Sequence, residues 1–403
     1  MAHRLSAVEF GKRCASKFQT IHDGKYFNRG ADNLRGRINF NDARARRELV
    51  AGNDTGGVAV HTGRPHEGSG SGTLGRQVAK NFGRSRIVKI AEKIIGGQRL
   101  TPDDDLKFLL TTPLEELQAG AALIQKNFCG NHIDLCTIIN GKSGRCSENC
   151  KYCAQSARHK TGIDEYDFLP TEKILEVALA NERAGVNRFS IVTSGRALDG
   201  KNFERAIETY KVLRNILKID LCASHGILSG EQLQRLKAAG VKRYHHNLET
   251  SRRFFPHICT SHTFDERINT IKLAQEVGLE VCSGGIIGMG ETWQDRIDLA
   301  FELAALEIKS IPINILTAIK GTPLENLPHL KPEEILRTIA IFRYINPTAN
   351  VRFAAGRKFL PDGGAAALLN GASAAITGNM LTTPNNNILS DIKLLAELGL
   401  TNK

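Results

Sequence analysis

CSENCKYC, residues 146–153, carries Cys146, Cys150 and Cys153 at the spacing C-x3-C-x2-C. Thiolates are soft ligands that select zinc, Cu(I) or iron–sulfur centres. A structural zinc site wants a fourth cysteine or histidine at a matching spacing. His159 is the nearest candidate, and no second pair follows. Three thiolates on a four-iron cube leave one iron open, which suits a cluster that must bind a ligand of its own. Tyr152 sets an aromatic ring directly before the last cysteine. The segment comes soon after an apolar run, IDLCTIING (133–141), so its place depends on the fold this run begins.

That run is the first of eight. The others are RFSIVTSG (188–195), DLCASHG (220–226), RYHHNLET (243–250), EVCSGGIIG (280–288), SIPINIL (310–316), NVRFAAG (350–356) and SAAITG (373–378). Amphipathic stretches such as TEKILEVALANERAG and FDERINTIKLAQEVG separate them. Eight short strands with interposed helices predict an α/β chain closed into a (β/α)8 TIM-type barrel. An open doubly wound sheet is the alternative, and no G-x-G-x-x-G fingerprint supports it. Functional groups of such barrels gather at the C-terminal strand ends, where the three-cysteine loop would fall. The predicted barrel spans 133–380, after helices in 86–132 that cover its bottom or pack beside it, and before a C-terminal helix in 381–403.

The chain has 403 residues and a net charge of +12. Residues 1–85 hold 15 Lys and Arg against 7 Asp and Glu, so most of the surplus lies there. GNDTGG and HTGRPHEGSGSG within this region cannot bury much apolar surface, and it reads as a basic, disordered extension. Nucleic-acid binding has no motif behind it and is not expected. An organelle transit peptide would be Arg-rich and acid-poor, but Asp23, Asp32, Asp42 and Glu48 weaken that reading. The expected location is the cytoplasm, or an organelle if the extension is a transit peptide. No stretch is long and apolar enough to predict a membrane span. The nine cysteines fit reduced thiols better than a disulfide framework.

Further residues stand where a barrel would gather them. GGIIGMGE (284–291) fits G-x-I-x-G-x-x-E at the end of the fifth predicted strand, its glycines admitting close approach of a flat ligand. NLET (247–250) closes the fourth, with Asn247 and Glu249 predicted on one side of it. Arg267, in FDERIN, is a candidate partner for a ligand carboxylate. Cys136, Cys222 and Cys282 lie on the first, third and fifth predicted strands and converge if all point inward. Arg352 sits in an apolar run, where a buried guanidinium needs an anion; a thiolate-held cluster would supply one.

Together these segments resemble the biotin synthase family of the radical S-adenosylmethionine (SAM) enzymes. The resemblance covers roughly residues 87–400 through CSENCKYCAQSARHKTG, HHNLETS, EVCSGGIIGMGET, SIPINILTAIKGTPL, VRFAAGR and GNMLTTPN. It implies that Cys146, Cys150 and Cys153 hold a [4Fe–4S] cluster that splits SAM, and that the resulting radical takes hydrogen from dethiobiotin. Sulfur then comes from an auxiliary cluster inside the barrel. It also implies SAM contacts from Tyr152, Asn247, Glu249, Arg267 and Ile287. Substrate contacts are implied for His245, Asn247 and Asn314. The implied partners are a flavodoxin or ferredoxin electron donor and a second copy of the chain in a homodimer.

The chain departs from the better-known members at the auxiliary site. They use three cysteines and an arginine for a [2Fe–2S] cluster; here Cys222, Cys282 and Arg352 match, but the fourth position is Ser190. Cys136 stands where serine is usual. The expectation is a rearranged set, with Cys136, Cys222 and Cys282 holding a [2Fe–2S] or larger cluster. His245 replaces the usual asparagine and Glu249 the usual aspartate. The competing readings are a related radical SAM enzyme without sulfur insertion, of hydrogenase-cofactor maturase or methylornithine synthase type, and a zinc-binding, nucleic-acid-associated protein. Cys129 and Cys259 are left without a role.

Overall fold

The structure is a computed structural model that describes residues 85–378, 381 and 387–402. The predicted extension, Cys14 and most of GNMLTTPN lie outside the described residues. A barrel closes around a parallel sheet: β1 (Asp134–Lys142), β2 (Arg188–Thr193), β3 (Asp220–Ser224), β4 (Val241–His245), β5 (Glu280–Cys282), β6 (Gly285–Ile287), β7 (Ser310–Ile315), β8 (Asn350–Phe353) and β9 (Ala374–Ile376). The strand order is β5-β4-β3-β2-β1-β9-β8-β7-β6, and a β5–β7 pairing shuts the ring.

All eight predicted runs supply barrel strands, but the fifth is broken in two. β5 and β6 are halves of one staircase interrupted at Ser283 and Gly284. Glycine is required at the break, since a Cβ on Gly284 would lie 1.9 Å from the Pro312 carbonyl oxygen. Only glycine lets the two strands pass this closely.

Outside the ring, Ile and Leu faces of the helices pack on the outward side chains of the strands, with Phe189, Ile191, Val351 and Phe353 among those buried. Of the helices before β1, Phe108–Thr111 and Leu114–Cys129 pack against the outer helix Pro332–Ile345, and Arg86–Ile95 packs on Leu114–Cys129. Arg337 of that helix donates to the Leu109 and Thr112 carbonyls at 3.2 and 2.9 Å. The last helix is Ile388–Glu397. Among the described residues no helix is long and apolar enough to cross a membrane.

Candidate functional site

Strand register decides which side chains share the interior. Ile138, Ser190, Cys222 and Arg243 stand side by side across β1 to β4, and Cys136 is two residues before Ile138, on the same face. On the opposite arc, His245 neighbours Cys282, which neighbours Ser310, and Pro312 neighbours Arg352. All of these except Ser310 line a cavity of about 390 Å³ that runs up to the loops after the strands. Its lining also holds Cys146, Cys150, Tyr152, Cys153, Asn247, Glu249, Arg267 and Asn314.

The loop after β1 is folded by its own backbone. Cys146 N–H donates to the Gln155 carbonyl (3.0 Å), Ala157 N–H returns to the Cys146 carbonyl (2.8 Å), and Cys153 N–H bonds the Cys150 carbonyl (3.0 Å). Gly144 enters the loop at φ +72, a value that glycine adopts freely. The thiols of Cys150 and Cys153 are held protonated without metal. Burial pushes Cys153 up to about 11. A hydrogen bond donated to Cys259 Sγ, 3.6 Å away, with burial, raises Cys150 further. Metal binding must therefore release protons here. Three thiols turned toward one cavity mouth fit a thiolate-held cluster.

Asn247 and Glu249 do reach the cavity, but not as strand residues. β4 ends at His245, and Glu249 adopts φ +74. The turn is pinned to the broken strand by Glu249 N–H to the Gly284 carbonyl (3.0 Å) and Ile286 N–H to the Glu249 carbonyl (2.8 Å). A left-handed glutamate is strained and persists only where its surroundings insist. Asn247 Oδ1 accepts from Gly284 N–H at 3.1 Å and pairs with His245 Nε2 at 2.9 Å. Its Nδ2 donates to Glu249 at 3.3 Å. Burial raises the Glu249 carboxyl against the pull of Arg267, and burial lowers His245 to about 4, so its imidazole is neutral at pH 7.

Arg267 lies on the helix Phe264–Glu276 but is buried, its Nη1 3.6 Å from Glu249 Oε1. Ile287 is a correction: its side chain packs in the apolar core, and Ile286 is the residue that lines the cavity. Glu291 of the same motif holds the turn, accepting from the Gly288 and Met289 N–H groups (2.8 and 2.7 Å) and from Arg296 Nε (2.8 Å).

At the inner end, the neighbouring Cys136 thiol and burial raise the Cys222 thiol, and Cys282 lies 3.3 Å from Ser310 Oγ. Arg352 Nε also approaches Ser310 Oγ (3.4 Å). The expectation that Arg352 needs a cluster as its anion is corrected: Asp134 supplies the charge at 3.3 Å. Arg352 Nη2 nonetheless has no aligned hydrogen-bond acceptor among the described residues. Three thiols and an incompletely satisfied guanidinium fit an anionic iron–sulfur group. Ser190 lines the same wall beside Cys222, whereas Cys129 and Cys259 are not part of the lining.

Sequence reasoning missed the charges beneath this site. Asp134 contacts Arg188 (2.9 Å), Arg352 (3.3 Å) and Arg243 (4.0 Å). Burial opposes ionisation of Asp134, but the three arginines outweigh it and hold the carboxyl far below the usual range. A depressed folded-state pKa stabilises above the unfolded value near ~4 and is lost as pH falls below it. Asp134→Asn is expected to lose about 3–5 kcal/mol at neutral pH by leaving buried cations uncompensated, and to show less acid destabilisation than the parent. Denaturant unfolding at pH 7 and at about pH 2, inside the window where the contribution is lost, reads both; equal midpoints at pH 7 would contradict the network's role.

Among comparisons with known proteins, residues 142–303 match the Radical SAM superfamily model and residues 312–401 the Biotin and Thiamin Synthesis associated domain. The chain is 58% identical over 311 residues to a biotin synthase of Clostridium beijerinckii, covering 77% of this chain and 98% of that one. It is 55% identical to a biotin synthase of Alkaliphilus metalliredigens, covering 78% and 98%. A solved methylornithine synthase superposes with a TM-score of 0.68 at 21% identity, covering 78% of this chain and 97% of that one. A maturase of the [FeFe]-hydrogenase gives 0.67 at 17%, covering 82% and 79%. At such identities these two structures share the fold alone.

Proposed function

Because this chain belongs to the biotin synthase family of the radical SAM superfamily, we propose that it inserts sulfur between two unactivated carbons of dethiobiotin to give biotin. The observation that carries the reading is one cavity with three loop thiols at its mouth and three strand thiols with Arg352 at its inner end. A [4Fe–4S] cluster on Cys146, Cys150 and Cys153 supplies, when bound, the electron that splits SAM into the radical that attacks C–H bonds.

The chain's own residues bind and orient. Arg267 offers a buried guanidinium to a carboxylate, and Glu249 offers a carboxylate to paired hydroxyls. Tyr152 packs against the core beside the loop and lines the same cavity as Glu249. Ile286 gives the flat ring an apolar wall. Asn314 is fixed by Nδ2 to the Gly285 carbonyl (3.2 Å) and by the Ala355 N–H to its Oδ1 (3.2 Å). Its remaining N–H and lone pair match the carbonyl and N–H of a cyclic urea. His245, neutral, is held at Nε2 by Asn247 Oδ1 (2.9 Å) and at Nδ1 by Ser224 Oγ (3.1 Å), and stands nearby without adding charge.

Cys136, Cys222 and Cys282, with Arg352, hold the auxiliary cluster that serves as sulfur source, of [2Fe–2S] type or larger. An acidic flavodoxin or ferredoxin delivers electrons to a homodimer, without nucleic acid or membrane, in the cytoplasm. Full-length protein reconstituted without air, given SAM, reductant and dethiobiotin, is expected to make biotin and 5′-deoxyadenosine. SAM cleavage with no biotin would overturn the sulfur-insertion reading and favour a relative without it.

A further inference from the structure

We propose that Glu148 and His262 are positioning residues, forming a buried relay that ties the cluster loop to the guanidinium of Arg267. The inference rests on the reading of Arg267 as a SAM contact and deepens it. Glu148 lies inside the loop, between Cys146 and Cys150, and its carboxylate is hydrogen-bonded to His262 Nδ1. His262 Nε2 is 3.0 Å from Arg267 Nε. Arg267 in turn donates through Nη1 to the Asn247 carbonyl at 2.7 Å. Glu148, His262, Arg267 and Asn247 are all buried, so each lost partner would leave a desolvated polar group.

The direction of every bond is determined. A guanidinium only donates, so His262 Nε2 must accept; its proton then sits on Nδ1 and is given to Glu148. Ser261 Oγ also donates to Glu148, at 2.7 Å, and Arg196 approaches it at 3.5 Å, which keeps the carboxylate in place. Phe255 packs under both rungs, its ring 5.6 Å from the His262 ring and 5.5 Å from the Arg267 guanidinium. A side chain locked at Nε and Nη1 has little freedom left at its outer nitrogen, which is how a partner behind a binding group sharpens its aim.

The same bonds exclude another use of this corner. Cys150, Cys259 and His262 bring possible ligand atoms within 4.8 Å of one another. Both His262 nitrogens are already engaged, so no lone pair remains for a metal without breaking the relay.

The two halves of the relay separate by substitution. His262→Asn keeps an N–H near the Nδ1 position facing Glu148 but removes the acceptor for Arg267. His262→Gln places an amide oxygen near the Nε2 position. The readouts on anaerobically reconstituted full-length protein are iron content, KM for SAM against kcat for its cleavage, and the change SAM makes in the EPR signal of the reduced cluster. His262→Ala and His262→Asn are expected to load iron normally and to raise KM for SAM about tenfold or more, with a smaller change in kcat and a weakened EPR response. His262→Gln should recover most of that loss. An unchanged KM in iron-loaded His262→Ala, a glutamine variant no better than alanine, or loss of iron in all three variants would each overturn the relay. A parent protein that neither binds nor cleaves SAM would instead overturn the reading of Arg267.

Discussion

Cys153→Ala protein prepared without air is expected to lose the iron of the loop cluster and to form no 5′-deoxyadenosine above background. The expected fall in SAM cleavage is roughly 10³-fold or more, as for a member of a unit that acts only when complete. Cys153 is a stricter choice than Cys150, because Cys259 Sγ lies 3.6 Å from Cys150 and offers a replacement thiol. Auxiliary iron should survive, since Cys136, Cys222 and Cys282 belong to barrel strands rather than to the loop. The folded chain should survive too. The loop's hydrogen bonds run through backbone groups of Cys146, Cys150 and Cys153 and do not need the Cys153 thiol. Normal iron with normal SAM cleavage in this variant would remove the loop from the chemistry.

Cys136→Ala separates the second cluster from the first. It should still cleave SAM, yet biotin formation should fall to background and the auxiliary iron signal should change or vanish. Cys136 is buried on β1, and it and Cys222 both line the wall that carries Ser190. With serine at that neighbouring position, Cys136 is the thiol that completes a trio with Cys222 and Cys282. The reverse substitution, Ser190→Cys, decides less, because a new thiol beside Cys222 would enter almost any cluster built there. Mössbauer spectra and iron counts on Cys136→Ala give the answer, and an unchanged auxiliary signal would exclude Cys136 as a ligand.

Much of this arrangement is local in origin and therefore legible in the chain. Each barrel strand is a short apolar run bounded by turn residues, and the loop thiols lie within eight positions of one another. Asn247, Glu249 and Asn314 were legible as polar residues at strand ends, though the conformation of Glu249 was not. Its φ of +74 follows from pairing with Gly284 and Ile286, more than thirty residues away. Ile287 and Ile286 are chemically identical in sequence, and only the pleat of β6 decides which one faces the cavity.

The Asp134 network left one sequence signal, Arg352 in its apolar run, and none that named Asp134 as the anion. Its arginines come from β2, β4 and β8, and nothing in any one strand marks them as neighbours. His262 was silent, since its meaning lies in two ring nitrogens facing Glu148 and Arg267 from different segments.

The amino-acid sequence by itself determined the barrel, the three-thiol loop and the family, because periodicity and close spacing are properties of adjacent residues. Only the tertiary structure decided which charges sit beneath the inner thiols, which face of the broken fifth strand meets the cavity, and what holds Arg267 in place. Those outcomes depend on Coulomb and hydrogen-bond contacts between strands and loops far apart in the chain, which exist only once the ring has closed.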